Sequence, residues 1–321
     1  MVARRGGAGR AATAGSPAPW LVGVLQVVFV LLYSSGFIVG TIATNAASPF
    51  AIIFWRFIIA GSLLTLTALV MRAPWPRTWQ EWRDIAVTGL LLQTLHYAGT
   101  YLGFYHGISA SLSSMILGMM PLLVALGAWQ LLREPLTKRQ TLGTIIGFGG
   151  LLFTTAFGLS GGDSVLSIAY TALGCAGLSA GTLYQRKFGV QMDLRSGGAL
   201  QLYVGAIGML PFALAHDGLA LPMSGAVVFS LVWLSTLNSL GAITLLLWFL
   251  KHQTAGEASS LFYLMPGVTA IAAWPLLGQS AQWYSVVGLL MTGVGLLLVT
   301  RYSRSAIARR ELDASLTESA S

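Results

Sequence analysis

Side chains that could bind a small molecule occur in the third long apolar stretch of this chain, at "LHYAGTYLGFYHG". Tyr97, Tyr101 and Tyr105 are spaced four residues apart, and so are His96 and Thr100. Four residues are about one helical turn, so each set shares a helix face, and the two faces are adjacent. Aromatic rings that carry a few hydroxyl groups suit an apolar or aromatic ligand.

Lipid would leave these polar groups without hydrogen-bond partners, so we expect the stripe to face the protein interior. Tyr97, Thr100 and Tyr101 are then candidates to line a substrate cavity. A histidine inside an apolar stretch is likewise a candidate ligand contact. The alternative for His96 is a buried histidine that bonds to a neighbouring hydroxyl.

Arg56, in "FWRFIIAG", is the one cation in the interior of an apolar stretch, because Arg301 lies at the end of the last stretch. Arg56 follows the start of its stretch by roughly two turns. A structural role, bonding to carbonyl groups or extending toward the membrane surface, competes with binding of a substrate carboxylate. Further candidates for the same interior lie on five other stretches: Ser34, Ser35, Ser113, Ser114, Ser179, Asn238, Ser239, Trp248, Ser260 and Tyr263. Serines in such helices often bond only to backbone carbonyls, so each serine has a structural alternative.

Complete catalytic and metal-binding patterns are missing from the sequence. We find no HExxH zinc motif and no paired carboxylates within an apolar stretch. The pattern GxSxG occurs at 158–162 and 177–181, but neither copy follows a predicted strand, as a nucleophile elbow would require. The single cysteine, Cys175, excludes an internal disulfide and a cysteine-rich metal site. We therefore expect a protein that is not an enzyme and that uses no cofactor and no metal.

The composition indicates that lipid is the main solvent of this chain. Hydrophobic residues make up 55% of the sequence and charged residues 9%, whereas soluble domains carry roughly 25% charge. A membrane-spanning helix needs about 20 apolar residues. Ten stretches fit an all-α integral membrane protein with ten transmembrane helices: 20–41, 49–71, 85–105, 109–132, 140–157, 166–185, 197–215, 224–250, 257–277 and 283–302.

The positive charges predict the orientation in the membrane. With the N-terminus in the cytoplasm, 17 of the 18 Lys and Arg residues fall on the cytoplasmic side and none on the outer side. This asymmetry indicates that both termini are cytoplasmic. It also explains the net charge of +8, so basicity gives no reason to expect nucleic acid as a partner. The cytoplasmic cations are Arg4, Arg5, Arg10, Arg72, Arg77, Arg83, Arg133, Lys138, Arg139, Arg186, Lys187, Arg195, Lys251, Arg301, Arg304, Arg309 and Arg310.

One unusual helix occurs twice. "SSMILGMMPLLVALGAWQLL" (113–132) and "SSLFYLMPGVTAIAAWPLL" (259–277) superimpose when the sequence is shifted by 145 residues, which aligns Pro121 with Pro266 and Trp129 with Trp274. We interpret the match as a duplication, with repeats at 20–157 and 166–302 and cytoplasmic tails at 1–19 and 303–321. Five helices per repeat place the second copy upside down, and such inverted repeats are typical of transporters.

The two aligned prolines fall near the middle of the membrane. Each removes a helix hydrogen bond and bends its helix. Pro121 and Pro266 therefore predict either fixed kinks that suit packing or hinges beside a cavity.

Three segments carry a resemblance to a known family. They are "FWRFIIAG", "ASLSSMILGMMPLLVALGAWQLLREPLTKRQTLGTIIGFGGLLF" and "GEASSLFYLMPGVTAIAAWPLLGQSAQWYSVVGLLMTGVGLLLV". The chain resembles the drug/metabolite transporter superfamily of the EamA type, and within it bacterial amino-acid exporters of the YddG kind. The resemblance implies a 5+5 helix plan over about residues 20–302. Glu134 occupies an acidic family position, whereas the second copy has Gln279 there.

The sequence and the resemblance together predict an exporter in the bacterial inner membrane. It would move amino acids, aromatic, apolar or otherwise neutral, by alternating access around a midplane cavity. Export of another metabolite or a drug is the alternative, followed by an integral-membrane enzyme or a receptor. Since no acid lies in the predicted bilayer core, we expect facilitated transport rather than proton coupling. The protein would work as a monomer or a homodimer.

The predicted orientation can be tested by labelling cysteines from outside the cell. In a background without Cys175, Ser164→Cys should react with a membrane-impermeant thiol reagent, because residue 164 precedes an outer end of a span. Gln140→Cys should stay unlabelled, because it lies on the cytoplasmic side. The reverse labelling pattern would contradict both the orientation and the inverted repeat.

Overall fold

Helices form all the regular structure in the described part of this chain. The computed structural model describes residues 19–133, 137–160, 164–188, 193–216, 218–241, 244–245, 248, 264–279, 282–295 and 297–298. The prediction of an all-α protein is confirmed for these residues. The predicted tails lie outside them, except for Pro19, which begins the first helix.

Twelve helices and two π-helical segments have both of their ends within the described residues. They are α1 (Pro19–Ala46), α2 (Pro49–Val70), α3 (Trp79–Gly89), π1 (Leu90–Leu95), α4 (His96–Tyr105), α5 (Ala110–Gly118), α6 (Met120–Leu132), α7 (Lys138–Ser160), α8 (Val165–Phe188), α9 (Leu194–Ala215), α10 (Gly225–Val232), π2 (Trp233–Gly241), α11 (Met265–Leu277) and α12 (Trp283–Gly295).

Six helices in the described residues are long and apolar enough to cross a membrane, judged by length and composition. They are Trp20–Ala46, Pro49–Val70, Ala110–Leu131, Lys138–Phe157, Val165–Phe188 and Arg195–Ala215, and three shorter apolar helices are Gly225–Gly241, Met265–Leu277 and Trp283–Gly295. All nine overlap predicted spans. The predicted span 85–105 is formed by the end of α3, π1 and α4, which continue into one another.

Short polar side chains explain where several helices begin. Thr78 and Glu81 form a capping box before α3, in which Thr78 Oγ1 accepts from Glu81 N and Glu81 Oε2 accepts from Thr78 N. Ser109 and Ser224 cap α5 and α10 in a similar way. Asp193 caps α9, and the Arg195 guanidinium that donates to its carboxylate holds the pKa of Asp193 below its ordinary value.

The fourth predicted span is broken at Met119, between α5 and α6. Pro121 lies in the first turn of α6, where its missing N–H breaks no internal hydrogen bond. The Cys175 thiol donates to the Ile116 carbonyl just before the break, at 3.1 Å. Pro266 has the same place in the first turn of α11, which begins at Met265.

The offset of 145 residues found in the sequence recurs in the helix boundaries. α2 and α9 begin and end at residues separated by this offset, and so do α6 and α11. Both α6 and α11 are followed by a left-handed residue, Arg133 (φ 55°) and Gly278 (φ 67°). The π1 segment, shifted by the same offset, falls within π2.

Corresponding helices pack against each other in antiparallel directions. On α2 and α9, Phe57 lies against Gly205, while Leu64, further along α2, lies against Gly198, earlier on α9. On α7 and α12, Gly150 packs against the Gly288 carbonyl and Gly295 against the Gly143 carbonyl. The latter two contacts exchange places under the offset, as expected for a pair related by a two-fold axis.

Glycines position α4, which carries the predicted tyrosine stripe, against α8. A Cβ atom on Gly99 would lie 2.5 Å from Gly174 N and 2.5 Å from the Tyr170 carbonyl. A Cβ on Gly174 would in turn lie 2.7 Å from the His96 carbonyl. The two backbones are therefore in direct contact, which only glycine allows at this crossing.

The contact between the α4 and α8 backbones predicts that one added methyl group at Gly99 lowers the stability of the protein. Gly99→Ala should destabilise the purified protein by about 1–3 kcal/mol, because backbone rather than a flexible side chain must move. Thermal unfolding in detergent would measure the loss.

Gly23→Ala on α1 is the matched control, since nothing lies within 4 Å of its Cβ position. It should change stability by at most about 1 kcal/mol, in the favourable direction, because alanine is the better helix former. Equal unfolding temperatures for the two variants would contradict the packing described for α4 and α8.

Candidate functional site

A buried arginine lies at the meeting point of three of these elements. Arg56 on α2 is 3% exposed. Its Nη1 donates to the Tyr101 hydroxyl at 2.8 Å and its Nη2 to Asn238 Oδ1 at 2.9 Å. Longer contacts join Nη2 to the Tyr97 hydroxyl at 3.4 Å and to Ser239 Oγ at 3.5 Å. We call these five residues the Arg56 cluster.

The π2 segment presents its polar side chains through contacts with α1. Asn238 Nδ2 donates to the Leu32 carbonyl at 2.9 Å, which orients Oδ1 toward Arg56. Gly36 leaves room for this amide, because a Cβ there would lie 2.8 Å from Asn238 Nδ2. Trp233 Nε1 donates to Ser35 Oγ at 2.8 Å, and Ser35 in turn donates to the Leu32 carbonyl.

Aromatic rings enclose one side of the cluster. The Arg56 guanidinium lies 4.6 Å from the centroid of the Tyr97 ring, a cation–π contact. Phe57 meets the Tyr97 ring edge-on, with centroids 5.1 Å apart. Tyr101 packs against Phe104 on the same helix. These rings limit the access of water to the charge.

The charge of Arg56 has no carboxylate partner among the described residues. The acids that the structure describes bond elsewhere: Glu81 to the start of α3, Asp84 to Arg83 and Tyr184, and Asp193 to Arg195. Within the described residues, Arg56 Nε also has no hydrogen-bond partner. Burial costs a cation several kcal/mol even after structural relaxation, and neutral acceptors offset only part of that cost.

The histidine and the threonine of the third span face a different neighbour. His96 Nδ1 lies 3.2 Å from the Gly174 carbonyl of α8, and Thr100 Oγ1 donates to the His96 carbonyl. Both side chains are buried at the contact between α4 and α8. Tyr97 and Tyr101 reach Arg56 from the adjacent face, while Tyr105, one turn further, is 56% exposed.

The predicted serines lie at several helix contacts rather than in one group. Ser34 donates to the Met265 carbonyl of α11 at 3.3 Å. Ser114 and Ser179 donate to carbonyls of their own helices, Ser111 and Cys175. Ser113 is fully buried, and its hydroxyl has no partner among the described residues.

Of the remaining predicted positions, some lie within the residues that the structure describes and others lie outside them. Trp248 packs on the apolar cluster of Phe29, Val30 and Met265. Ser260 and Tyr263 lie outside the described residues. Pro266 lies beside Gly118, since a Cβ on that glycine would be 3.2 Å from Pro266 Cγ, so the start of α11 meets the broken span close to its break.

Two residues, the buried Gln201 and the partly buried Trp233, were missed by the sequence analysis. Gln201 on α9 is 6% exposed, and its Nε2 lacks a hydrogen-bond partner within the described residues. Gln201 corresponds to Arg56 under the 145-residue offset, so the repeat itself could have revealed it. Trp233 was overlooked as well, although a tryptophan inside a polar-lined span is a recognisable signal.

Most of the chain matches a known protein family. The sequence profile described as "EamA-like transporter family" matches residues 6–156 and 165–301. The chain belongs to the EamA-like transporter family. It is therefore a multi-pass membrane transporter, not an enzyme, and its substrate is a small molecule.

Named relatives of this EamA-like transporter are transporters without an assigned substrate. An uncharacterized transporter of Archaeoglobus fulgidus is 26% identical, over 86% of this chain and 96% of the relative. The uncharacterized transporter YvbV of Bacillus subtilis is 25% identical, over 88% and 92%. The uncharacterized inner membrane transporter YedA of Escherichia coli is 20% identical, over 88% and 92%.

A solved crystal structure shares the fold of this EamA-like transporter. The TM-score is 0.61 at 16% sequence identity, and the match covers 90% of this chain and 99% of the other. This likeness concerns the fold alone.

The Arg56 cluster predicts an unequal effect of removing two tyrosine hydroxyls from one helix. Tyr101→Phe should destabilise the EamA-like transporter by about 1–3 kcal/mol, because a buried guanidinium donor loses its acceptor. Tyr105→Phe, on the exposed side, should stay within about 0.5 kcal/mol of the wild type. Thermal unfolding of the purified proteins measures both, and equal stability of the two variants would contradict the bond to Arg56.

Proposed function

We propose that this EamA-like transporter exports neutral amino acids with apolar or aromatic side chains across the bacterial inner membrane. The observation that carries the proposal is the Arg56 cluster, a buried polar and aromatic site between α2, α4 and π2. A small zwitterion with an apolar side chain matches such surroundings, because polar donors and aromatic rings lie side by side. Another small metabolite or a drug with similar groups is the alternative substrate.

Two inverted repeats, at 20–157 and 166–302, would build the transport path. The matching boundaries and the antiparallel packing of α2 with α9 support this arrangement. The family profile also matches in two segments that correspond to the two repeats. Repeats of opposite orientation can form a site near the membrane midplane that opens to either side in turn.

The helix break at Met119 and the start of α11 at Met265 are the proposed hinges. Each proline lies in the first turn of its helix, and the Cys175 thiol donates to the Ile116 carbonyl beside the first break. Their contact near Gly118 and Pro266 would let movement of one repeat reach the other. Fixed kinks that only serve packing remain the simpler role for Pro121 and Pro266.

Transport would follow the gradient of the substrate. Of the acids that the structure describes, Glu81 and Asp193 lie at helix starts, and the buried Asp84 bonds to Arg83 and Tyr184 just before the predicted span 85–105. His96 lies at the contact between α4 and α8. An amino acid without net charge crosses the membrane without work against the potential. The likeness to exporters of the YddG kind and the name of the Escherichia coli relative support the inner membrane as the location.

Counterflow tests this function without assuming an energy source. Proteoliposomes preloaded with unlabelled phenylalanine should accumulate labelled phenylalanine when no proton gradient and no membrane potential are present. Empty liposomes and proteoliposomes preloaded with an unrelated sugar serve as controls. His96→Ala and Tyr101→Phe should slow the exchange when its rate is expressed per amount of folded protein, which Tyr101→Phe lowers.

Two results would contradict the proposal. If neither phenylalanine nor a panel of the other neutral amino acids exchanges, amino-acid export is wrong. If uptake requires an imposed proton gradient, and His96→Ala removes that requirement, facilitated transport is wrong and His96 couples protons to substrate.

A further inference from the structure

One edge of the Arg56 guanidinium is buried without close acceptors among the described residues. Arginine offers five N–H donors in a planar fork. Nη1 has a short bond to Tyr101, and Nη2 has a short bond to Asn238. Along the other edge, Nε has no partner among the described residues, and the further bonds of Nη2 are long, at 3.4 and 3.5 Å. A planar ligand with two acceptor oxygens fits the edge formed by Nε and Nη2.

The surroundings also leave the charge of Arg56 uncompensated. Every group that bonds to it in the described residues is a neutral hydroxyl or amide oxygen. A cation at 3% exposure is costly in such surroundings, and an anion placed against it recovers much of that cost. An arginine that served packing alone could be replaced by a neutral residue of similar volume.

The chain itself contains that replacement at the matching position. Gln201 on α9 corresponds to Arg56 on α2 under the offset, and it is buried in the same way. An uncharged amide is therefore compatible with this place in a helix of this shape. The positive charge in only one of the two matching helices points to a role in addition to its contribution to the fold.

From these observations we propose that Arg56 binds the carboxylate of the transported substrate through its Nε and Nη2 atoms. The ligand is a small carboxylic acid whose remainder is apolar or aromatic and lies beside Tyr97. A cationic amine that lacks a carboxylate is excluded, because it would meet a buried like charge. The inference rests on the proposed transport function and names the substrate group that this site recognises.

Four related compounds test whether binding depends on the carboxylate or on the rest of the ligand. L-phenylalanine and 3-phenylpropionate carry it, whereas phenethylamine and L-phenylalaninamide do not. Binding to the purified full-length protein, measured by calorimetry, should be detectable for both carboxylates and at least about tenfold weaker for both amines, as expected when a charge-assisted bond is lost.

Variants at the matching positions 56 and 201 test whether the preference for carboxylates comes from Arg56. Arg56→Gln introduces the residue found at position 201 and should weaken binding of both carboxylates by about ten- to a hundredfold. Arg56→Lys should recover part of the loss, since it retains the charge without the planar fork. Gln201→Ala is the control and should leave the ratio between carboxylate and amine binding unchanged. Size-exclusion chromatography verifies that each variant is folded.

The outcomes separate this inference from the proposed function. Binding of 3-phenylpropionate but not of phenylalanine, with loss in Arg56→Gln, would support the carboxylate site and contradict amino-acid export. Unchanged phenylalanine binding in Arg56→Gln would overturn the carboxylate site and leave amino-acid export standing. If Arg56→Gln does not fold, binding of the four compounds to the unmodified protein still tests the inference. Phenethylamine that binds as tightly as 3-phenylpropionate, or no binding by either carboxylate, would overturn the inference.

Discussion

A guanidinium buried among apolar helices must be surrounded by acceptors, and the arrangement around Arg56 follows from that requirement. Two tyrosines one turn apart on α4 and an amide from π2 supply oxygens that α2 alone could not provide. These acceptors have to arrive from elements other than α2 and lie within hydrogen-bond distance of the guanidinium. The relative positions of α2, α4 and π2 are therefore linked through one charge.

Those positions depend in turn on close contact between helix backbones. α4 reaches its place because Gly99 and Gly174 let it touch α8, and π2 reaches Arg56 because Gly36 makes room for Asn238 on α1. In a membrane the hydrophobic effect does not drive helices together, so small residues and polar contacts carry more of the specificity. The wide turns of π2 add to this, because Asn238 and Ser239 are both directed at Arg56 from consecutive positions.

The two sequence copies keep the same helix boundaries while their buried polar residues differ. α2 and α9 match from end to end, yet one holds Arg56 and the other Gln201 at the same place. The boundaries of α6 and α11 follow from features that both copies retain, a proline in the first turn and a left-handed residue after the last turn. α2 and α9 keep the same boundaries although they begin at different residues, Pro49 and Leu194. Because of this divergence between Arg56 and Gln201, a nearly symmetric framework carries a positive charge at only one of the two matching positions. Such an asymmetric site suits a substrate whose two ends differ in charge or polarity.

Hydropathy, the distribution of Lys and Arg and the repeated Met-Pro motif were enough to predict from sequence an all-helical membrane transporter, and the resemblance of three segments predicted its family. These signals are properties of single segments, and the bilayer imposes the same length and polarity on every segment that crosses it. Helical periodicity also placed Tyr97 and Tyr101 on one face. It could not show that the adjacent face, with His96 and Thr100, lies against α8 rather than beside Arg56.

Only the tertiary structure revealed that Arg56 meets Asn238 and Ser239, which follow it by more than 180 positions. Contacts of this kind depend on how whole helices cross, and no pattern within one helix records the crossing. The same reason explains why the sequence left both a structural role and a binding role open for Arg56. The sequence by itself determined which segments enter the membrane, because each segment meets the lipid individually. The tertiary structure decided which polar side chains share one site, because that depends on several segments at once.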